Sequence, residues 1–507
     1  MNEVGNVWTR RGFVKALSAL SITGNSIIKI NAADSSKESW ERGSGTELAE
    51  LGDQNYEPWR QSAAWQARVL PRFPDILVRP DQVRSIPDIL ENSSRRGKVI
   101  SIKSGGHNVS EAFLRDGSVL LDLGELQDID VDPVSQTAWI QPAAWSYSLV
   151  NVLARHGFAF PVSHCASVPM GGYLLGGGIG YNHDNWGTVA SDLVLAVEVV
   201  LADGQTVVAT RDKHSDLFWA ARGAGIGFFG VITRFKIRLV PAPQTVIESS
   251  YVFPLSELAN ATTMLQDWVS LSPPNTELMM LLAHDPTIDK AARGIETKMC
   301  VVRAVAFAEE QAARATLNSL ANHPAIKHAV FDNRNVTTSL ESMQIASVDP
   351  GMGLGYGRYA VDTIWTDKLP QVMNMILNHF SNTNSARTHI VVSPKQNREL
   401  SSDSSFSMIG NAFVGVYAVW DDPLEDTNTD FFCPDPWIRM LFYAEGRISP
   451  CCGFTGLEYE VGRIEDNSTV YDIWHGKGMN DMRKMINTKS YKDPCLKCMG
   501  SAKMYND

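Results

Sequence analysis

Short apolar runs of strand length alternate with polar helical stretches over residues 75–239. Residues 75–78 read as a strand, followed by a helix over 80–97 with Asp81 near its start and Gly97 at its end. Residues 99–103 form a second predicted strand. It stops at Ser104-Gly105-Gly106-His107-Asn108, where two glycines predict a tight turn with exposed N–H groups. Three more short strands are expected over 119–122, 129–131 and 137–140, then a helix over 145–156. The runs 194–201 and 206–209 flank Ala202-Asp203-Gly204-Gln205 and predict a hairpin. Residues 217–230 read as a helix ending in a glycine-rich turn, and 231–239 alternate as a half-buried strand should.

From Gln244 the pattern changes. Strands are expected over 249–253, 277–284, 358–365, 388–392 and 411–420, and amphipathic helices over 256–270, 310–322 and 368–380. Longer alternating strands with helices between them predict an α+β domain whose antiparallel sheet roofs whatever the preceding domain holds.

Between the two patterns lies a stretch that neither period explains, residues 160–180. Six glycines (Gly171, Gly172, Gly176, Gly177, Gly178 and Gly180) fall within ten residues. Glycine weakens helices and strands, so the expected use is access, with bare backbone approaching a ligand and successive N–H groups converging on an anion. Cys165, just upstream, is placed to reach that ligand.

Composition narrows the function classes. At 507 residues the chain exceeds one core, and 44% hydrophobic with 20% charged residues is that of an ordinary globular protein. A net charge of −11 argues against a nucleic-acid partner and tolerates a neutral or cationic small substrate. No apolar run of about 18 residues occurs, so stable membrane insertion is not expected. Thr9-Arg10-Arg11-Gly12-Phe13-Val14-Lys15, a weakly apolar segment and Ala32-Ala33 resemble a twin-arginine export signal, with a cytoplasmic protein as the alternative. Residues 1–45 are accordingly read as signal and linker.

The ordered features of residues 70–243 resemble the flavin-binding domain of berberine-bridge-enzyme-like oxidases, of the PCMH (p-cresol methylhydroxylase) and vanillyl-alcohol oxidase superfamily. Ser104-Gly105-Gly106-His107, the stretch from Cys165 to Gly180, Ala202-Asp203-Gly204, Asp216-Leu-Phe-Trp-Ala220 and Arg222-Gly223 follow that family's order. The resemblance implies a PCMH-type FAD domain over 70–243 and an antiparallel-sheet substrate domain over 244–428. It implies FAD bound by Ser104, Gly105, Gly106, His107, Asn108, Cys165, Val168, Gly171, Gly172, Gly176, Gly177, Gly178, Gly180, Gly230 and Val231. It also implies covalent attachment, His107 to the 8α-methyl and Cys165 to carbon 6. Pro169 and Tyr173 depart from the family's usual residues.

After Asp430 the pattern stops, and the closing segment that supplies such oxidases with a catalytic tyrosine is missing. Tyr417, Tyr359 and Asp362 are the candidates to take its place, among cleft-facing candidates that include Tyr356 and Arg358. Five of the seven cysteines instead crowd into residues 429–507, with a Cys-x-x-Cys pair, which suits a metal site better than a disulfide framework. The order of Cys433, Gly446, Cys451, Asp493-Pro-Cys495 and Cys498 resembles the twitch or half-SPASM domain of radical-SAM enzymes. That implies one [4Fe–4S] cluster on Cys433, Cys451, Cys495 and Cys498, with Cys452 spare. Four thiolates would equally suit structural zinc. The three-cysteine radical-SAM motif itself is absent from the sequence.

The expectation is an FAD-dependent oxidase or dehydrogenase acting on a CH–OH group of a sugar-like or aminoglycoside-like molecule, with oxygen or another acceptor reoxidising the flavin. The alternatives are oxidative cyclisation of an alkaloid-like substrate, or a non-catalytic flavin and iron–sulfur relay.

Overall fold

The computed structural model describes residues 46–284, 298–347, 357–395 except 384 and 386, 403–421 except 409, and short pieces at 441–442, 447–449, 462–463, 477 and 481. The export motif, Tyr356 and the cysteines of the tail lie outside these residues.

The strands of the first half are β1 (Glu47–Glu50), β2 (Ile76–Arg79), β3 (Ile100–Lys103), β4 (Val119–Asp122), β5 (Ile129–Asp132), β6 (Thr137–Ile140), β7 (Phe158–Ala159), β8 (Val194–Val200), β9 (Thr206–Ala209), β10 (Val231–Arg238) and β11 (Val240–Pro241). They build a four-stranded sheet in the order β1-β2-β4-β3, whose β2, β3 and β4 are parallel, and a five-stranded antiparallel sheet β5-β6-β10-β8-β9. The helix Ile86–Arg95 carries β2 across to β3, as a parallel connection requires. It is preceded by a 3-10 turn at Val83–Ser85, so the expected helix over 80–97 is shortened at both ends. The strip 217–230 is helical only at Ser215–Ala220, because Gly223 and Gly225 hold positive φ.

The second half adds β12 (Thr245–Pro254), β13 (Thr276–His284), β14 (Lys298–Ala308), β15 (Phe331–Thr338), β16 (Arg358–Thr366), β17 (His389–Pro394) and β18 (Ala412–Trp420). These form one antiparallel sheet in the order β15-β12-β14-β13-β17-β18-β16. Alternation splits the sheet cleanly. Met280, Leu282, Val302, Ile390, Val392 and Val414 join the core under helices Leu258–Leu271, Glu310–Leu320 and Leu369–Phe380. Their neighbours on the opposite face look back at the first half, where Val305 and Phe307 enter the core beneath the five-stranded sheet.

Strands β14 and β15 and the helix Leu340–Ala346 were not anticipated from the sequence. β14 is apolar at nearly every position, with both faces buried over Ala304–Phe307, so no period-2 contrast shows in its sequence, and β15 is an exposed polar edge.

One buried charge pins the parallel sheet. Asp122 ends β4 with its carboxylate fully buried. It accepts bonds from Arg79 Nη2 at 2.7 Å, Lys103 Nζ at 2.9 Å, Trp59 Nε1 at 3.1 Å and its own turn's Gly124 N at 3.0 Å. Burial alone would raise its pKa. Lys103 and Arg79 outweigh burial and hold it well below the usual carboxylate value of 3.8. Its contribution is therefore present above that value and lost as pH falls below it. Asp122→Ala is expected to cost about 3–5 kcal/mol in urea unfolding at neutral pH, because half-buried Lys103 loses its carboxylate and Arg79 keeps only its exposed pairing with Glu47. Asp122→Asn should lose the acid-sensitive part of the wild-type stability curve below pH 3.8.

Candidate active site

A cavity of about 2530 Å³ separates the two halves. One wall is the turn after β3, the segment around Cys165, the glycine strip and the loop 225–230. The other is the free face of the seven-stranded sheet, with Glu277, Met279 and Leu281 of β13, Arg303 of β14, Val361 of β16, His389 and Val391 of β17, and Phe413 and Tyr417 of β18.

His107 is set by packing around its turn. Gly106 has φ +74°, and a Cβ there would stand 2.0 Å from Ala63 O, while one on Gly105 would stand 2.1 Å from Pro169 Cγ. The imidazole stacks on Trp65, with ring centroids 4.7 Å apart. Its Nε2 lies 3.2 Å from Ser167 Oγ, which is 3.4 Å from Cys165 Sγ. One hydroxyl thus joins both expected tethers. Burial pushes the His107 pKa down to about 3, the Ser167 bond opposing and Lys103 adding to the effect. The ring is neutral at physiological pH and keeps a lone pair for bond formation.

The glycines divide by what a side chain would meet. Cβ atoms on Gly177, Gly178 and Gly180 would collide with Phe406 at 2.5 Å, Tyr173 at 2.7 Å and Pro161 O at 2.2 Å. These three do not line the cavity, and neither does buried Val231. The expectation that they touch the ligand is corrected: they let protein pack on protein. Tyr173, which departs from the family's usual residue, fills that space and donates its hydroxyl to Pro161 O at 2.7 Å. Gly171 lines the cavity, yet its Cβ would reach Ser104 Oγ and Pro142 Cβ at 2.9 Å. By contrast, Gly172 and Gly227 have nothing within 4 Å, and Gly176 meets only carbonyls of its own helix. Together with Ser104, Asn108, Val168 and Gly230, these positions face the cavity.

Of the three proton-transfer candidates the structure brings one to the cavity. Tyr417 lines it, stacked on His389 at 4.9 Å with planes 7° apart, and burial, followed by the Cys165 thiol, pushes its pKa up. Asp362 pairs in register with Val416 and is exposed on the opposite face, because one step along a strand reverses the side chain. Tyr359 has the right parity but is fully buried against Trp65, behind His107.

Sequence reading missed Trp65, Ser167, Gly227 and a buried pair. His164 Nε2 lies 2.6 Å from Glu277 Oε1, and Glu277 Oε2 accepts from Asn182 N at 2.6 Å. Burial would raise the pKa of Glu277, but His164, His183 and the Asn182 amide together bring it down to about 2. His164 stands next to Cys165 in sequence, but Glu277 is 113 residues away and gave no local signal.

Residues 74–210 match the model of an FAD binding domain, and residues 433–499 that of an iron-sulfur cluster-binding domain, SPASM. The chain joins an FAD binding domain to a SPASM iron–sulfur cluster-binding domain. It is similar to the FAD-linked oxidoreductase ptmO of Penicillium ochrochloron, 26% identical over 76% of this chain and 88% of that protein. It is also similar to the xylooligosaccharide oxidase of Thermothelomyces thermophilus, 31% identical over 42% of this chain and 44% of that one. In fold it resembles Physcomitrella patens BBE-like 1, with a TM-score of 0.64 and 18% identity over 75% of this chain and 83% of that one. The chain is an FAD-linked oxidoreductase with an iron–sulfur module.

The residues present fit FAD. A strip without side chains at Gly172, Gly176 and Gly227 faces a cavity whose volume of about 2530 Å³ can hold a dinucleotide, with neutral His107 also on its wall. Gly172→Leu should therefore lower the flavin-to-protein ratio of purified protein. It should leave the fold as stable or more so, since leucine is the better helix former by about 0.8 kcal/mol. Gly178→Ala should instead destabilise by roughly 1–3 kcal/mol, from its φ of +77° and the clash with Tyr173. Absorbance ratios and thermal unfolding read the two effects.

Proposed function

We propose that the protein oxidises a CH–OH group of a sugar-like or aminoglycoside-like small molecule. The observation that carries this reading is the roof of the cavity. Opposite the glycine strip stand a flat His389–Tyr417 pair, the His164–Glu277 pair and Arg303, polar and aromatic groups of the kind that hold a ring bearing many hydroxyls. The similarity to a xylooligosaccharide oxidase supports the same substrate class. FAD held here supplies the hydride acceptor, and oxygen or another carrier takes the electrons onward.

His107 and Cys165 are the proposed attachment points, supported by their shared contact with Ser167. Two bonds raise the flavin potential and retain it in a cavity open to bulky substrates. The SPASM match favours iron over zinc in the tail, and we assign a [4Fe–4S] cluster to Cys433, Cys451, Cys495 and Cys498. Export of the folded, loaded protein by the twin-arginine route is the proposed fate of the segment 1–45.

Denatured wild-type protein should stay yellow, with flavin mass on both the His107 and Cys165 peptides. His107→Ala and Cys165→Ala should each retain FAD through the other residue, and only the double variant should release it on denaturation. A panel of sugar alcohols, oligosaccharides and amino sugars should bleach the flavin anaerobically; bleaching by alkaloid-like amines alone would overturn the substrate class. Iron and sulfide analysis should return four of each per chain, as one such cluster requires.

A further inference from the structure

Oxidising an alcohol needs a group that takes the hydroxyl proton, and the Tyr-x-Asn segment expected from the resemblance does not occur in residues 429–507. Tyr417 faces the cavity, but burial pushes its pKa up, so its phenol keeps its proton and is poorly suited to take another. Tyr359 and Asp362 do not reach the cavity. His107 and His389 also line the cavity, each engaged through one ring nitrogen, with Ser167 Oγ and Arg387 O respectively, and neither has a carboxylate partner among the described residues.

His164 differs. Its ring is about one-third exposed on the wall, 34% by side chain, while its partner Glu277 is only 4% exposed. Glu277 has its pKa brought down to about 2, so it is ionised and can only accept. The neutral tautomer that donates Nε2–H in the 2.6 Å bond holds its lone pair on Nδ1. Nδ1 has no hydrogen bond among the described residues. Tyr181 packs against the ring at 4.3 Å with its plane tilted by 55°, and the second Glu277 oxygen is held by Asn182 N. A ring nitrogen aimed by a buried carboxylate, one residue from Cys165, has the construction of a proton acceptor.

We propose that His164 Nδ1 accepts the substrate's hydroxyl proton, with Glu277 as its positioning carboxylate. This rests on the alcohol-oxidising reading above. The O–H bond breaks with its proton passing to Nδ1, and its electron pair becomes the second bond of the carbonyl. The C–H hydrogen leaves with both electrons as hydride to the oxidised FAD of the same domain, so the alcohol is oxidised by two electrons. The imidazolium returns its proton to solvent through the open cavity.

The full-length holoprotein tests this in two ways. Nitrogen-15 NMR of histidine-labelled wild type, with His164→Ala removing one of 11 histidine signals for assignment, should show Nε2 protonated and Nδ1 bare. A proton on Nδ1 overturns the proposal whatever the substrate. In anaerobic single-turnover bleaching with an alcohol that reduces the wild type, His164→Ala should slow flavin reduction by about 10²–10⁴-fold, and added imidazole should restore part of it. Glu277→Gln should slow it by roughly tenfold or more with little change in half-saturating substrate. A His164→Ala variant that bleaches as fast as wild type, or one that imidazole does not rescue, overturns this role and leaves the alcohol reading intact. A wild-type flavin that no alcohol bleaches overturns both.

Discussion

A single buried carboxylate joins the two halves of this protein where chemistry is expected. Glu277 sits on β13, the central strand of the seven, and reaches across to His164 and the Asn182 amide beyond the glycine strip. An ionised group with so little exposure persists only because each oxygen has a donor. The requirement works in both directions. The sheet cannot slide over the flavin wall without stranding that charge, and the wall segment from His164 to Asn182 cannot relax without losing its anchor.

That anchor explains why a cavity, rather than a closed core, lies between the halves. Helices cover one face of the seven-stranded sheet and bury its aliphatic residues, so that face is satisfied. The other face meets the first half through Val305 and Phe307 on one side, the tilted Trp65–Tyr359 pair on the other and the Glu277 anchor between them. Between these contacts the facing surfaces stay apart, one bare of side chains and one set with polar and aromatic groups. The space is of the size that a dinucleotide and its substrate need together.

The glycine strip has two roles that sequence reading merges into one. Gly177, Gly178 and Gly180 allow Tyr173, Phe406 and the chain at Pro161 to close against the backbone, and so give the strip its shape. Gly172 and Gly176 then present that shaped backbone to open space. Packing density decides between the roles, since a Cβ within 3 Å of backbone or ring cannot be accommodated.

The sequence by itself determined most of the element order, the flavin-type first domain, the antiparallel roof and a cysteine-rich tail. Each of these depends on short-range signals: turn glycines at fixed offsets, period-2 alternation and cysteine spacing. It also placed Ser104–Asn108, Cys165 and Tyr417 at a site. Tertiary structure alone decided which side chains meet there. Alternation put Asp362 on the wrong face, burial removed Tyr359 behind Trp65, and β14, lacking an alternating pattern, brought in Arg303. The His164–Glu277 pair joins residues 113 apart on two different domains, and no local pattern encodes a contact that exists only once a sheet has closed over a loop.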